Sequence, residues 1–498
     1  MNVNPITRLD YPDPDVIRVE DTYYMVSTTM HFMPGCEILQ SFDLVHWEHV
    51  TYVYETLDHT DAQQLKSGQN IYGQGMWAAS LRYHEGRFYI CFVANDTRKT
   101  YLYTSEKIDG PWKKQLIEGF YHDGSLLFDE DGRNYIVYGN DEIWITELNE
   151  DLTAPKKDGL HRLLVSDHKN PELGYEGSHI QKINGYYYIF LVHSLRDRWM
   201  RTEACFYSDS LEGEFTGGDV LCDDRGYCGQ GVAQGGIVDT PDGKWYAMLF
   251  QDSGAVGRIP ILLPVTWKDH FPFFGQNGHV PEEIEVHSTR PGYIYQPLVG
   301  SDDFCNGLLP RWQFNHDPDP RYYHLDALQG TYTITTREVC TELTQAVNTL
   351  TQRMSYPSCA AEVTVDASAL KEGDVAGLCA LQSCYAAVGI TKHHGKYEVL
   401  MLDKKEDGIL DMTEGTVVES HQMDFRLEAD FCNMKDEARC YYRVNKGDWL
   451  PIGTVHKLYF KLDHFTGCRF GLFCYATEET GGSACFRDFK YYDVDEIS

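Results

Sequence analysis

The sequence has no uninterrupted apolar run of about 18 residues, so no membrane-spanning helix is predicted. Its first residues, MNVNPITRLD, also lack a basic segment followed by an apolar one, so no secretory signal is visible. Basic residues are scarce, since 43 Lys and Arg face 75 Asp and Glu for a formal net charge of −32. That charge repels phosphates and anionic lipids, so we expect no nucleic acid and no membrane partner and favour a neutral ligand such as a sugar.

The 15 cysteines include no CxxC pair and their number is odd, so neither a zinc site nor a disulfide framework is indicated. With no leader visible, the simplest interpretation is a cytoplasmic protein with reduced thiols. We expect most of these thiols to behave as small buried hydrophobes. Sustained helical periodicity is also absent from residues 1–290, which favours an all-β fold.

One pattern recurs five times before residue 290. The copies are VIRVEDTYYMVST, LRYHEGRFYICFVAN, LLFDEDGRNYIVYGN, IQKINGYYYIFLVHS and IVDTPDGKWYAMLFQ. Each is an apolar strand, a tight Asp or Gly turn and a second strand with an aromatic residue at the same distance from the turn. The segments SFDLVHW, SEKIDGPW and SDSLEGEF read as turns that close an outer hairpin. Four short strands per copy, at a spacing of about 50 residues, predict a five-bladed β-propeller.

Equivalent positions at the start of the first strand of each copy hold polar or aromatic side chains. Counted back from the hairpin turns, these positions hold Asp13, Trp77, Asp123, Glu176 and Gln234. Because the first strand of every blade lines the axis of a propeller, we expect the five side chains to converge at one mouth of the channel. A solvated turn explains any single carboxylate, but three like charges together destabilise a fold unless they serve a purpose.

Several carboxylates in unlike environments are what glycoside hydrolysis requires. One carboxyl group donates a proton to the leaving oxygen, and the other activates water or attacks the sugar carbon. A third can raise the pKa of the acid by like-charge repulsion and can orient it. Trp77 either offers an apolar face to a sugar ring or packs between blades. The residues therefore predict a glycosidase, and a sugar-binding propeller without catalysis is the alternative from another class.

The motifs YPDPDVIRV, HDGSLLFDEDG and GYEGSHIQKINGYYY together resemble those of glycoside hydrolase family 43, and the resemblance extends over nearly the whole chain. It implies that Asp13 is the general base, Asp123 tunes and positions the acid, and Glu176 is the general acid of an inverting enzyme. The segment QDSGAVGRIP resembles the arginine motif of the family, which implies that Arg258 faces the sugar hydroxyls. The segment STTMHFMPG resembles the pocket loop of the family's β-xylosidases and α-L-arabinofuranosidases, which implies that Phe32 and Met33 shape the glycone site, with a place in the core of a turn as the alternative.

Two departures from the family pattern concern the propeller axis. Many relatives have a histidine where this chain has Gln234 or Ser253, and their axial site often holds calcium or water. We treat Gln234 as a substrate-binding residue. The resemblance implies no required cofactor and leaves a structural calcium ion at the axis as an open alternative. His31 and His193 are the candidate replacements for the missing histidine, although each reads more simply as a loop or core histidine.

A change of composition follows the segment STRPGYIYQPLVG, and we place the domain boundary there. Residues 1–298 form the predicted propeller and residues 299–498 a second domain. Short alternating strands such as TYTITT and AAEVTVDAS predict an antiparallel β-sandwich. Its closing segments, FGLFCYATEE and FRDFKYYDVD, resemble the concanavalin-like C-terminal domain of many family members. By this resemblance the second domain lends a loop to the pocket rim and has no catalytic constellation of its own.

These observations together predict an exo-acting, inverting glycoside hydrolase that removes terminal α-L-arabinofuranosyl residues from arabinoxylan-derived oligosaccharides. A β-D-xylosidase or a dual enzyme is the alternative, because L-arabinofuranose and D-xylopyranose offer similar hydroxyl patterns. A retaining mechanism stays open as well, since it differs from inversion in a carboxyl separation of about 5 to 5.5 Å instead of about 6.5 to 9.5 Å. The expected partner is a pentose-containing oligosaccharide.

Overall fold

The computed structural model of the chain describes residues 2–493 and is almost entirely β-structure. It consists of a five-bladed β-propeller followed by a concanavalin-like β-sandwich, which confirms the predicted fold class. Residues 494–498, which the predicted second domain includes, lie outside the described part. The helical segments of residues 2–493 are short 3-10 turns at Lys66–Gly68, Gly254–Val256, Leu343–Gln345 and Cys432–Met434. None of these turns has the length or apolarity that crossing a membrane requires.

Each blade is a four-stranded antiparallel sheet whose strands follow one another in chain order, with the first strand innermost. The strands of blades 1 and 2 are Asp15–Val19, Thr22–Val26, Gly35–Ser41, Glu48–Tyr54, and Ser80–His84, Arg87–Ala94, Lys99–Ser105, Lys113–Ile117. Those of blades 3 and 4 are Ser125–Phe128, Asn134–Asn140, Glu142–Leu148, His161–Ser166, and Glu176–Ile183, Tyr186–Ser194, Arg201–Ser208, Thr216–Leu221. Those of blade 5 are Val232–Asp239, Trp245–Asp252, Arg258–Lys268 and Phe271–Phe274.

The predicted hairpins form the two inner strands of every blade. Their turns include Gly86 and Gly185, which have φ values of 77° and 85°, in the left-handed region that glycine enters without a steric penalty. The apolar residues of the second strands are buried between blades; Ile90, Ile136 and Ile189 have no exposed surface. The predicted outer turns also occur, each between the third and fourth strands of its blade. Glycine-containing turns and the burial of alternate residues along each strand therefore explain why these segments form the hairpins of the blades.

The N-terminal segment closes the propeller without lending a strand to a blade. Asn2–Val3 pairs with Glu283–Ile284, just after blade 5. The Asn4 side chain donates a hydrogen bond to the carbonyl oxygen of Leu262 at 2.7 Å and accepts one from its N–H at 3.0 Å. These contacts tie the start of the chain to blade 5. They satisfy backbone groups that an open sheet would leave unpaired.

The second domain packs two antiparallel sheets face to face around a core that includes Leu378, Phe425 and Phe470. In spatial order, the first sheet contains Leu410–Met412, Lys396–Lys404, Ala386–His393, Val375–Leu381, Arg469–Tyr475, Leu350–Arg353, Gln313–Asn315 and Phe32–Met33, and Thr416–Val418 also pairs with Lys396–Lys404. The second contains Tyr323–Asp326, Thr331–Thr335, Ser483–Asp493, Ser358–Asp366, Gln422–Asp430, Glu437–Val444 and Leu450–Lys457. The first sheet therefore combines strands from both sides of the predicted domain boundary, because Phe32–Met33 precedes the boundary and the other strands follow it.

The propeller contributes the edge strand of the first sandwich sheet. Phe32–Met33, from the loop between the second and third strands of blade 1, pairs with Gln313–Asn315. The guanidinium of Arg469 lies 3.4 Å from the centre of the Phe32 ring, which is 2% exposed. The structure places the Phe32 ring at the domain interface, because its backbone pairs with the sandwich, and its role in shaping the glycone site stays a prediction.

All 15 cysteines are unpaired and ten of them are buried, in line with their interpretation as small hydrophobes. A buried ion pair between the domains joins Glu37 of blade 1 to Arg353 of the sandwich, with 2.9 Å between Oε2 and Nη1. Arg353 also donates to the carbonyl oxygen of Asp10 at 2.9 Å. Burial raises the pKa of Glu37, but Arg353 and His49 outweigh burial and lower it to about 2.

We expect Arg353→Met to lower the free energy of unfolding by about 3 to 5 kcal/mol, because Glu37 would remain buried without its ionic partner. Chemical denaturation followed by tryptophan fluorescence measures this loss. The control is Arg133→Met, which removes an exposed ion pair with Asp131 at 2.7 Å and should cost less than about 1 kcal/mol. Equal stability of the two variants would show that the buried pair does not couple the domains.

Candidate active site

The starts of the inner strands meet at one mouth of the propeller, and the backbone there is unusual. Asp13, Asp123 and Gln234 have φ values of 52°, 48° and 65°, and Gly177, directly after Glu176, has 66°. Asp and Asn enter this left-handed region more easily than other non-glycine residues. In the first copy, prolines on both sides of Asp13 restrict the chain further. The turns hold these side chains at the inner end of each blade.

The structure brings Asp13, Asp123 and Glu176 into one pocket. Asp13 accepts hydrogen bonds from the Thr28 hydroxyl at 2.6 Å and from Nη1 of Arg258 at 3.1 Å. Asp123 accepts one from the N–H of Gly177 at 2.9 Å, so it is tied to the residue that follows Glu176. The first two carboxylates are each 6% exposed.

Glu176 is the most accessible of the three carboxylates, with 18% of its side-chain surface exposed. Its Oε2 accepts a hydrogen bond from the Asn140 amide at 2.8 Å. Asn140 ends the second strand of blade 3, so blades 3 and 4 together orient the carboxyl group. Oε1 has no hydrogen bond within residues 2–493, which leaves it open to a ligand.

His122 is a pocket residue that sequence reasoning missed. Its Nε2 lies 3.5 Å from Oδ2 of Asp123 and 3.5 Å from Oε2 of Glu176. Burial lowers the pKa of His122, but the carboxylates of Asp123 and Glu176 outweigh burial and raise it to about 9. Burial also raises the pKa of Asp123; His122 opposes the rise, Glu176 adds to it, and the result is about 6. The sequence signal that could have identified His122 is its position directly before Asp123 in the HDGSLLF motif.

The two histidines singled out from the sequence lie elsewhere. His193 contacts Asp219 at 2.8 Å and Asp167 at 3.4 Å, between blades 3 and 4. His31 is fully buried at the domain interface, with its ring 4.8 Å from that of His316. Neither of them contacts the three carboxylates within the described residues.

Arg258, Trp77 and a loop of the sandwich form one wall of the pocket. Arg258 is 2% exposed and lies over the Phe465 ring at 4.1 Å, and its Nη2 donates to the Phe465 carbonyl oxygen at 3.3 Å. The ring of Trp77 lies 5.6 Å from that of Phe465 and 6.0 Å from that of His122. The second domain therefore does extend a loop to the pocket, and Arg258 is paired with Asp13.

Gln234 lies behind Glu176 at the start of blade 5. It is 5% exposed, and its N–H donates to Oε2 of the fully buried Glu203 at 2.7 Å. A Cβ atom added to Gly177 would lie 2.7 Å from Cγ of Gln234, so the two residues are in close contact. Ser253, the other place where relatives have a histidine, is buried and donates to the carbonyl oxygen of Gln251 at 3.2 Å.

Deeper in the channel, the guanidinium of Arg82 lies among polar groups of blades 1, 3 and 4. It contacts Asp15 at 2.8 Å and Ser125 at 2.6 Å, and it donates to the carbonyl oxygens of Leu126 and Ile180. Burial raises the pKa of Asp15, but Arg82 and a nearby histidine outweigh burial and lower it. Because the positive charge is already supplied and the Asp15 oxygens are engaged, these residues do not fit an axial calcium ion.

Within residues 2–493, one group of ligand atoms is spaced closely enough to hold a metal ion, namely those of His122, Asp123 and Glu176, within 4.8 Å of one another. A metal-binding histidine must be neutral, whereas the raised pKa of His122 favours the imidazolium at neutral pH. A cavity of about 470 Å³ opens at the other mouth of the channel, beyond Arg82, and the three carboxylates do not line it.

We expect the acid limb of the kcat/KM profile to lie near pH 6, where Asp123 takes up its proton. His122→Gln removes the cation that holds the pKa of Asp123 down. The acid limb of the profile should therefore move to higher pH, because Asp123 takes up its proton more readily. A pH–rate profile of both proteins measures the shift. His168→Asn, in an exposed loop, is the control, and an acid limb that stays in place would contradict this account.

Two family models match the chain: glycosyl hydrolases family 43 at residues 3–272, and the beta xylosidase C-terminal Concanavalin A-like domain at residues 301–492. A solved structure described as a bifunctional GH43-CE protein of Bacteroides eggerthii is 42% identical, with a TM-score of 0.92 over 99% of this chain. This chain spans 64% of that longer chain.

Curated relatives are more distant. The beta-xylosidase of Formosa agariphila is 26% identical and matches 99% of this chain and 89% of its own length. The non-reducing end alpha-L-arabinofuranosidase BoGH43B of Bacteroides ovatus is 24% identical over 82% of this chain and 79% of its own length. Together with the propeller, its mouth of three carboxylates and the concanavalin-like second domain, these matches establish that the chain belongs to glycoside hydrolase family 43.

Proposed function

We propose that the protein is an exo-acting, inverting α-L-arabinofuranosidase that acts on arabinoxylan-derived oligosaccharides. The main support is the pocket that unites Asp13, Asp123 and Glu176, each held by a different hydrogen-bond donor. Three carboxyl groups with unlike partners and exposure can divide the tasks of acid, base and orienting group.

Glu176 is the general acid in this proposal. Its carboxyl group has the greatest access to the pocket among the three, and one oxygen has no hydrogen bond to the described chain. It gives its proton to the glycosidic oxygen while the bond between that oxygen and the anomeric carbon breaks. Asp123 accepts a hydrogen bond from the Gly177 N–H and thereby fixes the turn in which Glu176 lies.

Asp13 is the general base. The Thr28 hydroxyl and the Arg258 guanidinium each bind one carboxylate oxygen, so the group is fixed while lone pairs remain for a water molecule. The water oxygen bonds to the anomeric carbon as Asp13 takes its proton. One attack from the face opposite the leaving group inverts the anomeric configuration.

The shape of the pocket supports an exo-acting enzyme with a pentose glycone. On the side of Arg258, the pocket is closed by Phe465 from the second domain and Trp77 from the propeller. A polymer chain that passed through would have to displace this packed wall, whereas a terminal sugar would not. The names of the relatives include both arabinofuranosidase and beta-xylosidase, so β-D-xylosidase activity is the second candidate.

The test compares aryl α-L-arabinofuranoside and aryl β-D-xyloside, with the product anomer followed by NMR. We expect the arabinofuranoside to have the higher kcat/KM and the first product to have the inverted configuration. Chelator should leave the rate unchanged, since Arg82 supplies the positive charge at the axis. Preference for the xyloside would select the second candidate, initial release of the retained anomer would overturn the mechanism, and activity on neither would overturn the function.

A further inference from the structure

The mouth loop of blade 4, residues 195–200, lies beside Glu176. Glu176 pairs with Val192 in the second strand of the blade, and Ser194 at the end of that strand pairs with Arg201 at the start of the third. The loop therefore leaves the sheet two residues beyond the level of Glu176. It contains Trp199, a large aromatic residue with 45% of its surface exposed, next to a pocket for which we have proposed a sugar ligand.

Arg201 is held rigidly under this loop. Its guanidinium lies 5.3 Å from the centre of the Trp199 ring and 5.2 Å from that of Phe250, and its Nε donates to Asp252 at 2.9 Å. The residue is 7% exposed. Its two Nη atoms have no hydrogen bond in the part of the chain that is described. A fixed, buried guanidinium with unused Nη donors can donate hydrogen bonds to a ligand.

The charge of Arg201 extends into the pocket. Burial lowers the pKa of Arg201, but Asp252 and Glu176 outweigh burial and raise it. Phe250 separates it from Arg258, whose guanidinium lies 5.4 Å from the same ring. Arg258 is engaged by Asp13, whereas Arg201 lies at the foot of the loop that leaves the sheet beside Glu176.

We propose that Trp199 and Arg201 form the binding site for the leaving sugar, so that this protein cleaves pentosides attached to another sugar better than pentosides with a small leaving group. The proposal rests on the proposed function, because a general acid must contact the glycosidic oxygen and so marks the side on which the leaving group lies. The Trp199 ring stacks on the C–H face of that sugar, and the Nη atoms of Arg201 donate to its hydroxyl oxygens.

The experiment compares two substrates with the same terminal pentose. One is a methyl pentoside, whose leaving group has no ring to stack, and the other is a xylo-oligosaccharide that carries the pentose. For Trp199→Ala, the ratio of kcat/KM for the oligosaccharide to that for the methyl pentoside should fall about tenfold, mainly through a higher KM for the oligosaccharide. Trp199→Phe, which keeps a ring, should recover part of the ratio. Arg201→Gln should lower it as well.

Phe273→Ala is the matched control, because Phe273 is an equally exposed aromatic residue, 50% accessible, on the outermost strand of blade 5. Its ratio should equal that of the unmodified protein. If the unmodified protein cleaves both substrates and Trp199→Ala leaves the ratio unchanged, the leaving-sugar site is overturned while the proposed function stands. If the unmodified protein cleaves neither substrate, the proposed function fails and this site fails with it.

Discussion

Glu176→Gln is expected to lower kcat/KM on an oligosaccharide substrate by about 1,000- to 10,000-fold, the upper part of the range for general acid–base catalysis. Glutamine keeps the size of the side chain and can still contact Asn140, but it has no proton to give to the glycosidic oxygen. Sugar binding should survive, because the substitution adds no bulk to the pocket. Steady-state kinetics measures the first effect, and titration calorimetry with the oligosaccharide measures the second.

The leaving group separates loss of the acid from a general loss of structure. The phenolate of an aryl pentoside with a strongly acidic phenol leaves without being protonated. Glu176→Gln should therefore lower kcat/KM for such a substrate by no more than about tenfold. Glu172→Gln, an exposed substitution in the preceding loop, is the control and should act like the unmodified protein. Undiminished turnover of the oligosaccharide by Glu176→Gln, or an equal loss on both substrates, would contradict the role of general acid.

The fold could be predicted from the sequence because it is built from local rules that repeat. A period-two apolar pattern and a tight turn specify a hairpin, and a residue at a constant distance from that turn reaches the same level of the sheet in every copy. Asp13, Asp123 and Glu176 were found in this way, and the structure brings them together. Their chemical roles remain proposals that the substitutions described here test.

The rest of the pocket depends on contacts between segments that are distant in sequence. Phe465 reaches Arg258 across 207 positions, and no periodicity in either segment indicates the meeting. Arg201 begins a third strand, so a search restricted to first strands could not find it. The strand pairing of Phe32 was not foreseen for the same reason, because its partner, Gln313–Asn315, belongs to the other domain.

His122 was missed for a different reason. It directly precedes Asp123 in a motif that had been noticed, but neighbouring side chains of an extended chain normally point to opposite faces. The left-handed backbone at Asp123, with φ of 48°, breaks that alternation. Both side chains can then meet Glu176 in one pocket. Left-handed backbone recurs at this mouth at Asp13, Asp123 and Gln234, and strained backbone at a pocket tends to have a function.

Asp13→Asn is expected to lower kcat/KM by about 1,000- to 10,000-fold on every substrate, including aryl pentosides with strongly acidic phenols. The reason is that the base acts on the attacking water, and a better leaving group does not supply a stronger nucleophile. Asparagine preserves the shape of the carboxylate and an acceptor for Arg258, so the fold should persist. Asp21→Asn, in the exposed hairpin turn of the same blade, is the control.

The pattern across both variants tests the assignment more strictly than either loss alone. We expect acidic leaving groups to restore the activity of Glu176→Gln but not that of Asp13→Asn. This pattern requires that proton donation and water activation belong to different carboxyl groups. If acidic phenols restored Asp13→Asn as well, Asp13 would act on the leaving group. The attacking water would then need another base in the pocket, and Asp123, whose pKa is raised to about 6, would be the carboxylate to examine.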